Sequence, residues 1–122
     1  MKEAYRNAVT VYGIRNCDTC RQAVNWLNAK SIEHVFHDLR ADGLEPRMLR
    51  RWARYVDWQK LLNKRSKTWR GIPPAERENT DHRTALALMA RHPTLVKRPV
   101  LESGELVLVG FAAEAWAAEL AD

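Results

Sequence analysis

Between Val9 and Leu39 the sequence spells a strand, a helix and a second strand, an order that leaves little choice of fold. Val9-Thr10-Val11-Tyr12-Gly13-Ile14 is β-branched and aromatic and stops at the polar Arg15-Asn16, the pattern of a buried strand. Cys20, Ala23, Val24 and Leu27 then recur at i, i+3, i+4 and i+7. They form one apolar stripe of a helix that begins near Asp18-Thr19 and ends near Lys30-Ser31. A second strand fits Ile32 to Leu39. A helical crossover between two strands of one sheet makes those strands parallel.

The middle of the chain changes period. Pro46 opens a helix whose apolar positions Leu49, Trp52, Ala53 and Val56 again keep helical spacing. Asp57 is suited to cap a short helix through Leu61-Leu62, and the aperiodic stretch from Asn63 to Gly71 reads as a loop. Pro73-Pro74 starts another short turn. Thr80-Asp81 can cap a helix from His82 to Arg91, closed by His92-Pro93. Strand character returns at Val100-Leu101 and Leu106-Val107-Leu108-Val109, joined by Glu102-Ser103-Gly104-Glu105 as a four-residue hairpin turn. A last amphipathic helix runs from about Ala112 to Leu120, with Trp116 and Leu120 inward. The order is βαβ, a strandless helical insert over about 44–92, then ββα, in one domain spanning residues 1–122 without repeats or linkers.

A chain of 122 residues can close a core without covalent staples, and its two cysteines, Cys17 and Cys20, are too close in sequence to restrain much of it. No apolar run reaches the roughly 20 residues that cross a bilayer, and Met1–Asn7 has no signal-peptide character. A cytoplasmic protein without membrane contact is expected. The net charge of +5 comes from one segment: residues 47–70 hold nine basic groups against Asp57 alone. Arg47, Arg50, Arg51 and Arg54 read as a solvated helix face. Without a helix-turn-helix, zinc-finger or RNA-recognition signature, nucleic acid is an improbable partner.

Cys17-Asp18-Thr19-Cys20 falls where a strand hands over to a helix. There the unpaired N–H groups and the positive end of the helix dipole favour a thiolate. Cys17, nearest the helix tip, suits the attacking role in thiol–disulfide exchange, and Cys20, a turn inside on the apolar stripe, the resolving one. Zinc would want four ligands, which His34, His37, His82 and His92 do not supply at finger spacing, so no metal is expected. Two inert buried cysteines are the bland alternative. Cys-x-x-Cys beside a βαβ unit reads as a thioredoxin-like motif. That likeness implies a cis-proline just before the third strand, where Arg98-Pro99-Val100 stands; an ordinary trans proline is the alternative.

Several runs together resemble the arsenate-reductase-like group of thioredoxin folds that carries a helical insert. They are Val11 to Cys20, His37 to Leu44, Leu61 to Arg65, Thr68-Trp69-Arg70 and Lys97-Arg98-Pro99. Within that group the chain is most similar to the YffB branch, small proteins of proposed glutathione-dependent thiol reductase activity. The resemblance implies an α/β, thioredoxin-like fold with a mixed four-stranded sheet and the insert between its second and third strands. It implies Cys17 as nucleophile and Arg98 as the arginine that binds an oxyanion beside it; the alternative for Arg98 is a surface ion pair. A guanidinium there would stabilise both the thiolate and an anionic substrate such as arsenate or a glutathione carboxylate. Two further arginines of glutaredoxin-coupled arsenate reductases fall on Asn63 and, within one residue, Gly110, while Arg65 stands two residues from the first.

Two classes of function follow. As a thiol-disulfide oxidoreductase, a monomer with no bound cofactor and glutathione as co-substrate, the protein would use Cys17, Cys20 and Arg98 for chemistry. Asn16, Arg65, Lys67 and Pro99 would hold the glutathionylated or disulfide substrate. As a relative of the Spx branch, which shares Cys-x-x-Cys and Arg65-Ser66-Lys67, it would be a redox-sensing regulator that contacts the RNA polymerase alpha subunit through residues around Gly43 to Trp52. Arsenate reduction itself is the third reading. Trp58 and Trp69 are aromatic enough to stack on a ligand, although packing is the commoner use of tryptophan in a chain this small.

Overall fold

The computed structural model describes residues 8–120, so the Met1–Asn7 stretch lies outside the described residues. Four strands form one sheet: β1 (Thr10–Gly13), β2 (Val35–Asp38), β3 (Val100–Ser103) and β4 (Leu106–Val109), in the order β2-β1-β3-β4. β1 runs parallel to β2 and antiparallel to β3, and β3 is antiparallel to β4. This mixed sheet, with helical segments between β2 and β3, is the thioredoxin-like α/β fold.

The chain divides into two compact units, one holding the described residues up to Asp42 and from Arg98 onward, the other Gly43–Lys97. In the first, helix α1 (Asp18–Ala29) buries Cys20, Ala23 and Leu27, while Val24 on the same stripe stays half-buried. The helix begins at Asp18, as the spacing predicts, and its cap is Cys17, in extended conformation. At its other end Ser31 takes a left-handed φ of 57°, and the N–H groups of Ser31 and Ile32 return to the carbonyls of Asn28 and Leu27. That is a Schellman stop. It also corrects the expected start of the second strand: Ile32 is occupied in closing the helix, so pairing with β1 begins only at Val35.

The core of this unit gathers Val9, Val11, Ala23, Leu27, Ile32, Leu101, Trp116 and Leu120. The last two come from the C-terminal helix, α7 (Ala113–Leu120). The Trp116 indole donates to the Gly110 carbonyl at 3.0 Å, so the bulky ring is buried without an orphaned N–H. The hairpin turn is tighter than four residues: Glu102 and Ser103 stay in β3, and only Gly104, with φ 59°, and Glu105 turn the chain.

The second unit is helical. Helix α2 (Pro46–Ala53) buries Met48, Leu49 and Trp52 and leaves Arg47 and Arg50 exposed. The Asp57 carboxylate caps α3 (Trp58–Leu61) by accepting the Gln59 N–H at 2.8 Å. The expected loop from 63 to 71 contains a helical turn, α4 (Lys67–Arg70). Ser66 caps it by accepting the Trp69 N–H at 3.1 Å, and burial of Trp69 fixes the turn where no apolar period announces one. After α5 (Pro74–Glu78), α6 (His82–Arg91) starts on the Asp81 capping box and buries Ala85, Leu86, Leu88 and Met89. A 3-10 turn at Pro93–Leu95 follows, and Asn63 and Lys97 donate backbone hydrogen bonds to Leu95 and Leu61, each at 2.7 Å.

Candidate active site

The strand-to-helix turn is built by what sits under it. β1 ends at Gly13, where a Cβ would lie 2.5 Å from the Cys20 sulfur and 3.4 Å from Phe36. Glycine leaves the space in which Cys20, 1% exposed, seats against the strand. Glycine inside an otherwise β-branched strand is the sequence signal for such a close approach.

Beyond Gly13 the backbone is held by Asp38, the last residue of β2. This residue is buried, and its Oδ2 accepts the Arg15 N–H at 2.9 Å while Oδ1 accepts the N–H groups of Arg40 and Ala41. The Arg15 guanidinium stands 3.9 Å from the same carboxylate and lies over the Phe36 ring. On the other side the Arg21 guanidinium donates to the Arg15 carbonyl at 3.3 Å and pairs with Asp18. Hydrogen bonds from Ala41 and Arg15 hold the Asp38 carboxyl below the ordinary carboxylate value, against the effect of its burial. A groove of about 210 Å³ between these groups is lined by Arg15, Cys20, Arg21, Val24, Asn25 and Phe36.

Cys17 is half-buried at the tip of α1, and both cysteines are free thiols. Burial pushes the Cys17 thiol up, but the Cys20 N–H, the Cys20 thiol, the Arg98 guanidinium and the Thr19 N–H together outweigh it, so its pKa lies below the ordinary value. Cys20 goes the other way. Burial raises it most and the neighbouring Cys17 raises it further, against the Ile14 N–H, and the thiol is pushed up to about 11. The pair is therefore split into one sulfur that ionises easily and one that keeps its proton.

Arg98 comes from the far end of the chain, at the entry to β3. Its Nε and Nη1 are buried and have no hydrogen-bond partner among the described residues. Buried donors of a cation left open are costly unless something anionic meets them. The Arg98–Pro99 peptide bond is cis, as the thioredoxin-like reading implies, and Pro99 is buried with its carbonyl accepting the Gly110 N–H at 2.8 Å.

Asn16 is exposed on the turn itself. Arg65 and Lys67 lie in the other unit and are both exposed; the Arg65 N–H donates to Asn63 Oδ1, and Lys67 opens α4. Trp69 is buried and Trp58 half-buried, which is packing. The two positions where arsenate reductases carry further arginines are used otherwise. Asn63 organises its own turn, and Gly110 sits at φ 76° with its carbonyl taken by Trp116. The sequence reading missed Gly13 and Asp38 as parts of the site. A short polar side chain at a strand end, ahead of a turn, was the available sign for Asp38.

The profile of the ArsC family matches residues 12–118, from the end of β1 through the Cys17 turn and the cis-proline to the last helix. The chain belongs to the ArsC family. A protein of Haemophilus influenzae described as uncharacterized is 44% identical over 103 residues, covering 84% of this chain and 90% of that one. Among solved structures, a YffB protein is 40% identical with a TM-score of 0.89, covering 93% of this chain and all of that one. An arsenate reductase related protein from Brucella melitensis is 41% identical with a TM-score of 0.75, over 93% and 94% of the two chains. An arsenate reductase from Vibrio cholerae, 16% identical with a TM-score of 0.80 over 93% and 98%, shares the fold. This ArsC-family chain is thus arsenate reductase-related.

Proposed function

We propose that the protein is a glutathione-dependent thiol-disulfide reductase in which Cys17 is the nucleophile. The observation that carries this reading is the pairing of an easily ionised, half-buried Cys17 with an Arg98 whose buried Nε and Nη1 have no hydrogen-bond partner among the described residues. An anion-binding fork beside a thiolate suits a substrate that brings a carboxylate to a reactive sulfur, as glutathione does.

In the reaction so read, the Cys17 thiolate attacks the glutathione sulfur of a mixed disulfide. An S–S bond forms between Cys17 and glutathione, the old S–S bond breaks, and the other thiol leaves as a thiolate that takes up a proton. A second glutathione thiolate then attacks the bound glutathione sulfur, giving glutathione disulfide and restoring the Cys17 thiolate. The reducing equivalent comes from that one free glutathione, whose thiol becomes a disulfide sulfur, while the glutathione brought by the substrate enters and leaves at the disulfide level. Cys20, protonated at neutral pH, suits donation of a hydrogen bond to the Cys17 sulfur better than attack upon it. Asn63 and Gly110, each committed to a turn, support thiol reduction over arsenate reduction.

The test is NADPH consumption in an assay coupled through glutathione and glutathione reductase, with a glutathionylated peptide and arsenate offered in parallel. Turnover of the peptide that disappears in Cys17→Ser is expected. No turnover of the peptide overturns the reading, and turnover of arsenate alone replaces it with arsenate reduction.

A further inference from the structure

The turn that carries Cys17 is not held by the motif itself. Arg15 and Asn16 lie between the end of β1 and the cysteine, and a helix N-terminus stabilises a thiolate only if the sulfur is kept over it, since the effect falls off within one turn. Something must fix the two residues that deliver Cys17. Arg21, on α1, reaches back to the Arg15 carbonyl, but it is an exposed side chain at 3.3 Å. The buried contact is on the other side, where Asp38 Oδ2 takes the Arg15 N–H at 2.9 Å.

Asp38 is itself fixed from three directions. Its Oδ1 accepts from Arg40 at 2.8 Å and Ala41 at 2.9 Å, its own N–H donates to the Asp42 carboxylate at 2.9 Å, and it sits opposite Gly13 in the parallel register. The next residue, Leu39, donates to the Gly13 carbonyl at 2.7 Å. The carboxylate therefore joins the end of β2 and its following turn to the segment that leads into the nucleophile. A buried carboxylate with this many donors is rigid, and a charge-assisted bond to a backbone N–H is among the stronger kinds.

We propose that Asp38 is a positioning residue for the nucleophile: through the Arg15 N–H it keeps the strand-to-helix turn in the conformation that holds the Cys17 sulfur over the N-terminus of α1. Asp38 touches neither substrate nor sulfur in this role. The inference rests on the reading of Cys17 as the reactive thiol, and it concerns the turn rather than the choice of oxidised substrate.

The experiment is the rate of Cys17 alkylation by iodoacetamide as a function of pH, in the wild-type protein and in Asp38→Asn, each followed by mass spectrometry. Loss of the grip on Arg15 moves the midpoint of the profile up and slows alkylation at pH 7 by roughly tenfold for each unit of rise. A mere through-space charge effect has the opposite sign, because removing an anion favours the thiolate, so a midpoint that falls overturns the proposal. So does a midpoint that stays put while the variant melts earlier, which is what a purely structural role predicts; Val107→Ala, away from the turn, serves as the control for lost stability. If Asp38→Asn does not fold, amide exchange in the wild type decides. The Arg15 amide then exchanges as slowly as that of Leu39, and free exchange at Arg15 overturns the proposal. Neither measurement uses glutathione, so failure of the reductase assay leaves this result standing, and the reverse holds as well.

Discussion

Gly13 and the Cys20 sulfur share one space: a Cβ on the glycine would stand 2.5 Å from Sγ, closer than such atoms approach. The backbone of β1 is thus part of the seat of the second cysteine. Gly13→Ala must displace either the thiol or the strand, at a cost of about 1–3 kcal/mol typical of overpacking. In a double-mutant cycle with Cys20→Ala, measured by urea unfolding, most of that cost disappears because the clashing atom is gone. An unchanged cost in the Cys20→Ala background would show that the strand, not the sulfur, is what the methyl group meets.

The divided ionisation of the two thiols gives a direct readout. At neutral pH the folded protein is expected to lose one thiol quickly to iodoacetamide, and Cys17→Ser to abolish that phase. The profile of Cys17 rises at a pH below that of a free thiol, whereas Cys20, pushed up to about 11, reacts only in alkali or after unfolding. Rapid labelling of Cys20 in the folded Cys17→Ser protein would contradict its burial.

Arg98 contributes both charge and a fork. Arg98→Ala is expected to raise the Cys17 midpoint and to reduce kcat/KM for a glutathionylated peptide by the roughly 1.5–3 kcal/mol of a charge-assisted hydrogen bond, on the order of 10- to 150-fold. Arg98→Lys restores the charge but not the paired donors, so it should recover the thiol midpoint better than the turnover. Equal recovery of both would mean that the fork is unused.

The acid limb of the stability curve reports on Asp38. Its pKa is lower in the folded chain than in the unfolded one, so its contribution is complete above the unfolded value of about 3.9 and is lost as pH falls through the lowered folded value. Denaturant melts of the wild type should therefore weaken in that window, and those of Asp38→Asn should weaken less. Parallel curves for the two proteins would assign the acid loss elsewhere.

Ser66 is a local test of the second unit. Removing its cap on α4 by Ser66→Ala should cost about 1 kcal/mol in unfolding free energy. A neutral effect would indicate that burial of Trp69 alone holds the turn.

How far the sequence could be read depended on the range of the interaction. The βαβ order, the buried face of α1 and the caps at Asp57 and Asp81 are set by residues within a turn of one another, and they stand where spacing put them. The cis bond at Pro99 and the role of Arg98 needed the family resemblance, since nothing adjacent to Arg98 says that its charge acts on Cys17. Asn63 to Gly71 was opaque because a four-residue helix is too short to show a period; its cap and one buried tryptophan define it. Gly13 and Asp38 stayed hidden for a different reason. Gly13 meets Cys20 through the packing of α1 on β1, and Asp38 meets Arg15 through the β1–β2 register, so residue type hints at a special position without naming the partner.

The strand order places β1 between β2 and β3, although β3 arrives only after the whole Gly43–Lys97 unit. During synthesis the first βαβ half can form early, because its contacts are close in sequence, while β1 keeps an open edge and Cys17 has no Arg98. Cys17 is thus made before Arg98, one of the groups that lower its pKa. A nascent or truncated chain ending at Lys97 carries the full Cys-x-x-Cys motif yet only part of the electrostatic field around Cys17, so the final hairpin closes the sheet edge and completes the site in one event.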